Sequence, residues 1–229
     1  MLNLALVKNV GRHVVQFGSV LDFGCGIGRI SRFLAPQGLH GCDVNARVIE
    51  YCRAEFPDGH WVHSPMLPPL PYPDENFDLI YSFSVFSHLQ EAVEHTWLAE
   101  LARVGKADAI YLISVQGDWM IEATLGPDAD AARQAGFWFR EVHERHGTDL
   151  DFPDYYESSY HTCEWIKATW SRWFDILDII KGDDPARYLT EGMAFQPVGD
   201  VAPLRPMGQD LVVARKRADC VARNAAGGA

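Results

Sequence analysis

In the first half of the chain, short apolar runs alternate with stretches whose apolar positions recur at helical spacing. The runs predict strands at residues 20–23, 39–43, 60–63, 77–81 and 109–115, and the stretches between them predict helices at 29–34, 46–55 and 90–104. Unbroken apolar runs suit strands buried on both faces, and helices between such strands act as crossovers that keep the strands parallel. Two more apolar runs, at 174–180 and 210–215, follow a helix at 162–170. The pattern predicts an α/β fold with a doubly wound, mostly parallel seven-stranded sheet.

The remaining segments break this rhythm. Leu4, Val7, Val10, Val14 and Val15 fall on one face of an N-terminal helix within residues 1–17. The prolines of "PMLPPLPYPDEN" exclude helix and central strand and make that segment a loop. Residues 117–161 turn rich in aromatics and acids, and predict a lid-like insertion after strand five, with one helix and a long loop. A second irregular insertion spans 181–208. A single domain over 1–216 and a small, polar, flexible tail over 217–229 complete the expected organisation.

Charge and cysteine usage narrow the function classes. The 229 residues carry a formal net charge of −11 with pI near 5.2. Without a basic stripe the chain gains nothing from neutralising phosphates, so neither nucleic acid nor an anionic membrane is an expected partner. No apolar run is long enough to span a bilayer, and the N-terminal stretch lacks the layout of a signal peptide. Five cysteines at irregular spacing, without C-x-x-C, fit reduced thiols in a cytoplasmic protein better than disulfides or zinc, and no metal site is expected.

The chemistry concentrates in "VLDFGCGIGRISRFL", from Val20 to Leu34. Gly24, Gly26 and Gly28 occupy every second position at a strand-to-helix junction, where backbone without side chains comes close to a ligand and a helix N-terminus offers free N–H groups. The spacing is not the Gly-x-Gly-x-x-Gly of dinucleotide folds, because Arg29 stands at its third glycine position. Asp43 ends the second strand, the usual place for a carboxylate that accepts from both hydroxyls of a ribose. Asp43 with Asn45 also reads as a helix start.

These motifs resemble the class I S-adenosylmethionine-dependent methyltransferases. The resemblance rests on "LDFGCGIGR", "GCDVN", "PPLPYPDENFDLIYSFSVFSHL" and "QDLVVARK", in that order, over most of the chain. Through "SVFSHL", "AELARV" and "YHTCEW" the sequence is also similar to small-molecule and sugar methyltransferases of bacterial biosynthesis. It departs from the family in having "VGKADAIYL" where a Pro-Gly-Gly-like turn is usual, and Ser64 where an acid or amide commonly touches adenine. The resemblance implies S-adenosylmethionine as cofactor. Asp22, Gly24, Cys25, Gly26 and Gly28 would cradle its methionine part, and Asp43 and Val44 would hold the ribose. Pro65, Met66 and Leu67 would flank adenine, with Ser82, Phe83 and Ser84 at the reactive end.

A hydroxyl acceptor needs a base as the new bond forms, and histidine is the commonest choice. His88 follows the fourth strand and His161 returns from the insertion, so both are candidate catalytic residues at the mouth of the cleft. Each has a bland alternative: His88 tucked against the sheet, and His161 as a helix-entry residue beside Thr162, the expected cap. Trp119, His143, Tyr155, Tyr156 and Tyr160 are candidate substrate contacts, since acids mixed with aromatic faces suit a polar or cationic acceptor. His143 and His146 share a helical face that is better read as solvated than as a metal pair. The leading expectation is transfer of a methyl group to a hydroxyl of a small molecule or sugar. The alternatives are methylation of a small amine, or binding of the cofactor without catalysis.

Overall fold

Strand β1 (Val20–Phe23) is buried along its whole length and is an inner strand of the sheet. Its neighbours are β2 (Leu39–Asp43) and β4 (Phe77–Ser82), both parallel to it, and β3 (His60–His63) lies parallel beyond β2. Strand β5 (Gly105–Val115) runs parallel to β4, and β9 (Asp210–Lys216) and β8 (Phe174–Ile180) extend the sheet antiparallel. The seven-strand order is β3-β2-β1-β4-β5-β9-β8. The computed structural model that gives this arrangement describes residues 2–34, 38–140, 157–183 and 208–220.

Side chains alternate across the sheet and build two cores. On one face Leu21, Phe23, Ile80, Tyr111 and Ile113 pack against α4 (Glu91–Val104) and α7 (Cys163–Trp170) through Trp97, Leu98, Leu101, Ile166 and Trp170. On the other, Val20, Leu79, Tyr81, Ile110 and Leu112 meet α1 (Leu2–Val10) and α3 (Ala46–Glu55) through Leu2, Leu6, Ile49 and Cys52. Burying large aliphatic and aromatic side chains stabilises by roughly 1.5–3 kcal/mol each, so these faces fix the strand register. The two helices that open cleanly have side-chain caps: Asn45 accepts from Arg47 N–H, and Thr162 from Trp165 N–H.

Three expectations change. The N-terminal helix ends at Val10, because Gly11 turns left-handed at φ +70° and interrupts the period. Its buried face is then Leu2, Ala5 and Leu6, while Val7 and Val15 are exposed. The helix after the glycines, α2, is Ser31–Leu34, since residues 24–30 are taken up by the turn. Strand β5 starts at Gly105 rather than 109, carrying "GKAD" into the sheet through an irregularity in its register with β4 and a left-handed Asp108.

The segment after β5 is also built differently from one helix and a loop. It opens with α5 (Asp118–Thr124) and α6 (Ala129–Ala135), and Phe137–Arg140 forms β6, paired antiparallel with β7 (Ser158–His161). "FWFR" has the aromatic content that favours a pleated strand over a helix. This strand pair is tied to the main sheet: His161 N–H donates to Gln116 C=O, and Ser159 N–H to Ser87 C=O. Among the described residues, no helix is long and apolar enough to cross a membrane.

Candidate active site

The strand order reverses between β1 and β4, and a crevice opens there at the carboxyl ends of the strands. Its walls are the β1–α2 turn, the end of β2, the loop after β3 and the loop after β4. Gly24, Gly26 and Gly28 all have positive φ. Gly24 is packed hard against the next loop: a Cβ on it would lie 2.2 Å from Val85 Cγ2. A Cβ on Gly26 would meet nothing within 4 Å, so its backbone borders open space. Gly28 turns inward instead, against Phe56. The alternate glycines thus do three jobs, and Gly26 is the one that borders the open space of the crevice.

Asp43 holds this turn from the neighbouring strand. Its Oδ2 accepts the Gly26 N–H at 2.9 Å and its Oδ1 the Asn45 N–H at 2.8 Å. A carboxylate has about four acceptor positions, so two remain for a vicinal diol. Phe23, Val44, Val48, Met66, Leu89 and Trp97 make the crevice largely apolar, with Ser64, Asn45 and Ser84 at its polar points. Among the described residues, none that lines it is Lys or Arg. That composition fits a nucleoside with an apolar-flanked base and no phosphate.

Asp22 serves the turn from beneath. It is buried, its Oδ2 accepts the Ser31 hydroxyl, and Ser31 Oγ lies 2.9 Å from Tyr81 OH. Burial raises its pKa to about 7, against the lowering effect of the Ser31 and Tyr81 hydrogen bonds and with a small upward push from Asp43. Cys25 is likewise buried, its thiol beside Gly26 C=O together with that of Cys52. Asp22, Cys25 and Gly28 shape the turn without lining the crevice. Of the loop expected to flank adenine, Met66 lines the crevice while Pro65 and Leu67 do not. Ser82 and Phe83 also lie off it, because β4 runs on through Ser82 and the lining passes to Ser84 and Val85.

The two histidines differ. His88 is part-buried on the loop after β4, and its Nδ1 lies 2.7 Å from Glu157 C=O. Burial lowers its pKa, against an upward effect of that contact. His161 is fully buried: its Nε2 lies 2.7 Å from Glu94 Oε2, and Trp170 Nε1 donates to Glu94 Oε1 at 2.9 Å. Rings of Phe137, Trp165 and Trp170 surround it. His161 is therefore placed inside the packing between α4, β7 and α7 rather than at the cleft mouth. The reason is the strand β7, which turns its side chain inward where a loop would have left it at the surface.

Tyr160 is corrected in the same way. It is 4% exposed, packs with Ile121 and Leu125, and its OH accepts from Thr124. Trp119 is 37% exposed on α5. His143, His146, Tyr155 and Tyr156 lie outside the described residues. Asp118, Cys163 and Asp210 converge closely enough to hold a cation, but the Lys181 ammonium stands among them, 2.6 Å from Asp118, 2.7 Å from Cys163 and 3.0 Å from Asp210. The sequence reading missed Phe23, Val48, Val85, Leu89 and Trp97, which line the crevice. An apolar residue ending β1 and a tryptophan on the inner face of α4 look like ordinary core until the crevice is located.

Residues 20–108 match the family model of a methyltransferase domain. Similar solved structures include an S-adenosylmethionine-dependent methyltransferase from Methanosarcina mazei, at 16% identity over 86% of this chain and 92% of that one, with TM-score 0.58. Another is the 1,6-didemethyltoxoflavin-N1-methyltransferase of Burkholderia thailandensis, solved with 1,6-didemethyltoxoflavin and S-adenosylhomocysteine (16% identity, 93% and 76% coverage, TM-score 0.53). A third is the N-methyltransferase NodS of Bradyrhizobium japonicum WM9 with S-adenosylhomocysteine (12%, 95% and 84%, TM-score 0.54). At these identities the likeness is one of fold. Residues 20–108 thus match a methyltransferase domain, and the chain has the fold of the S-adenosylmethionine-dependent methyltransferases it is similar to.

Proposed function

We propose that the protein uses S-adenosylmethionine to methylate a hydroxyl of a small molecule or sugar. The observation that carries this reading is the crevice at the β1/β4 switch point, with Gly26 open to a ligand, Asp43 at its edge and, among the described residues, no cationic side chain along it. When bound, the cofactor supplies a methyl group on a sulfonium, a leaving group that needs no proton from the protein. The backbone around Gly26 would receive its amino-acid part, Asp43 its ribose hydroxyls, and Val44, Met66 and the apolar wall its base. Phe23, Leu89 and Trp97 would keep water from the reacting end, so the residues mainly align and desolvate.

The proton of a hydroxyl acceptor then needs a receiver. His88 stands on the loop after β4, whose Ser84, Val85 and Leu89 line the crevice while His88 itself does not, and burial keeps its imidazole neutral to lower pH than usual. A neutral imidazole takes a proton and an imidazolium does not, which supports His88 as the base over the enclosed His161. A second reading, methylation of an amine, draws support from the two N-methyltransferases among the similar structures. Incubation with methyl-labelled S-adenosylmethionine and matched panels of sugars, phenols and primary amines separates the two. Label in the hydroxyl compounds supports the proposal; label confined to the amines replaces it with the second reading.

A further inference from the structure

Ser84 lines the crevice with φ +59°, a left-handed conformation that glycine adopts readily and serine rarely. Its backbone N–H donates to Ser114 Oγ at 2.8 Å, and its hydroxyl donates to Gln209 Oε1 at 3.1 Å. The same Gln209 oxygen accepts the buried Ser114 hydroxyl at 2.7 Å, and Gln209 Nε2 donates to Ser87 Oγ at 3.2 Å. Gln209 immediately precedes β9, so a residue from the last strand clasps three serines on β5 and the loop after β4.

The clasp has a consequence for the crevice. Val85, the next residue, presses on Gly24 so closely that the glycine tolerates no side chain there. That contact closes one wall of the crevice, and it depends on the direction in which the chain leaves Ser84. A serine released from its partners relaxes to negative φ, and Val85 swings away from the glycine turn. We propose that Gln209 is a positioning residue for the cofactor crevice: it holds Ser84 left-handed, and through Ser84 it keeps Val85 against Gly24. This rests on the reading of the crevice as the S-adenosylmethionine site.

A double-mutant cycle tests it, with S-adenosylhomocysteine titrated calorimetrically and the melting temperature measured alongside. Gln209→Leu should weaken affinity by about tenfold, the scale set by one strained backbone residue. In a Ser84→Gly background, where left-handed φ needs no clasp, the same Gln209→Leu change should cost less than about twofold. A purely structural role for Gln209 would give equal losses in both backgrounds, and that result, or an unchanged affinity in Gln209→Leu, overturns the inference. If Gln209→Leu does not fold, Ser84→Val with Gln209 intact should show the tenfold loss in its place, and wild-type affinity there overturns the inference too. If the wild-type protein does not bind S-adenosylhomocysteine, the cofactor reading fails separately. The clasp is then read from hydrogen exchange of the Ser84 amide, which must accelerate in Gln209→Leu.

Discussion

The carboxylate of Asp43 accepts the backbone N–H of Gly26 at 2.9 Å, across a gap of 17 positions in sequence. One oxygen at the end of β2 thereby sets the path of the turn after β1, and the glycine it holds is the one with open space in front of it. Asp43 and Gly26, proposed above to meet the ribose and the amino-acid part of the cofactor, are thus a single bonded unit, which makes their separate replacement informative.

Asp43→Ala should weaken S-adenosylhomocysteine binding by about 1–3 kcal/mol, the usual cost of stranding hydrogen-bonding groups. The melting temperature should fall as well, because the change strands the Gly26 and Asn45 N–H groups that Asp43 holds. Calorimetric titration checks this, and unchanged affinity places the ribose elsewhere.

The glycines should fail in different ways. Gly26→Val puts a branched side chain into the open space at φ +51°, and should abolish binding while the fold survives. Gly24→Ala drives a methyl into Val85 and should lower the melting temperature first. Equal stability losses for the two would mean that the turn is structural at both positions.

Asp22 gives stability a distinctive pH dependence. Its folded pKa, near 7, lies above the ordinary 3.8, so between these values the folded protein keeps a proton that the unfolded chain has lost. Stability contributed by this group therefore falls as pH rises from about 4 to about 7, by about 4 kcal/mol in all, and is level above that. Urea unfolding at intervals across this window should show the decline, and Asp22→Asn should flatten it. A wild-type profile with no fall attributable to Asp22 would mean that the carboxyl is ionised in the folded state.

His88 and His161 should separate by phenotype. His88→Ala should cut turnover by about 10²–10⁴ with cofactor affinity near normal, and the acid limb of the wild-type rate profile should lie below the ordinary imidazole pKa. His161→Ala and Glu94→Ala should instead lower stability by roughly 2–5 kcal/mol, through a cavity and stranded polar groups among Trp165 and Trp170. Full stability in His161→Ala with lost turnover would reverse the assignment.

The strands were legible in sequence because each is a short apolar run bounded by turn residues, and β1, β2, β3 and β8 lie where the pattern puts them. The glycine turn and Asp43 were legible because few other residue types serve those positions. What escaped depends on three-dimensional contact. Gly11 ended a helix whose apolar period appeared to continue past it. The pairing of "FWFR" with Ser158–His161 joins segments far apart in sequence, so the inward turn of His161 toward Glu94 left no local trace. The clasp of Ser84 by Gln209 spans 125 positions and was equally invisible.

What the crevice binds decides the protein's cofactor and with it the proposed chemistry. Thermal-shift and calorimetric titration of the wild-type protein with S-adenosylhomocysteine, beside NAD at the same concentrations, measures it. The account predicts saturable binding of S-adenosylhomocysteine at one site, with about 2.7 kcal/mol of added stability at a hundredfold excess over its dissociation constant, and no shift with NAD. Stabilisation by NAD, or none by S-adenosylhomocysteine, would contradict it.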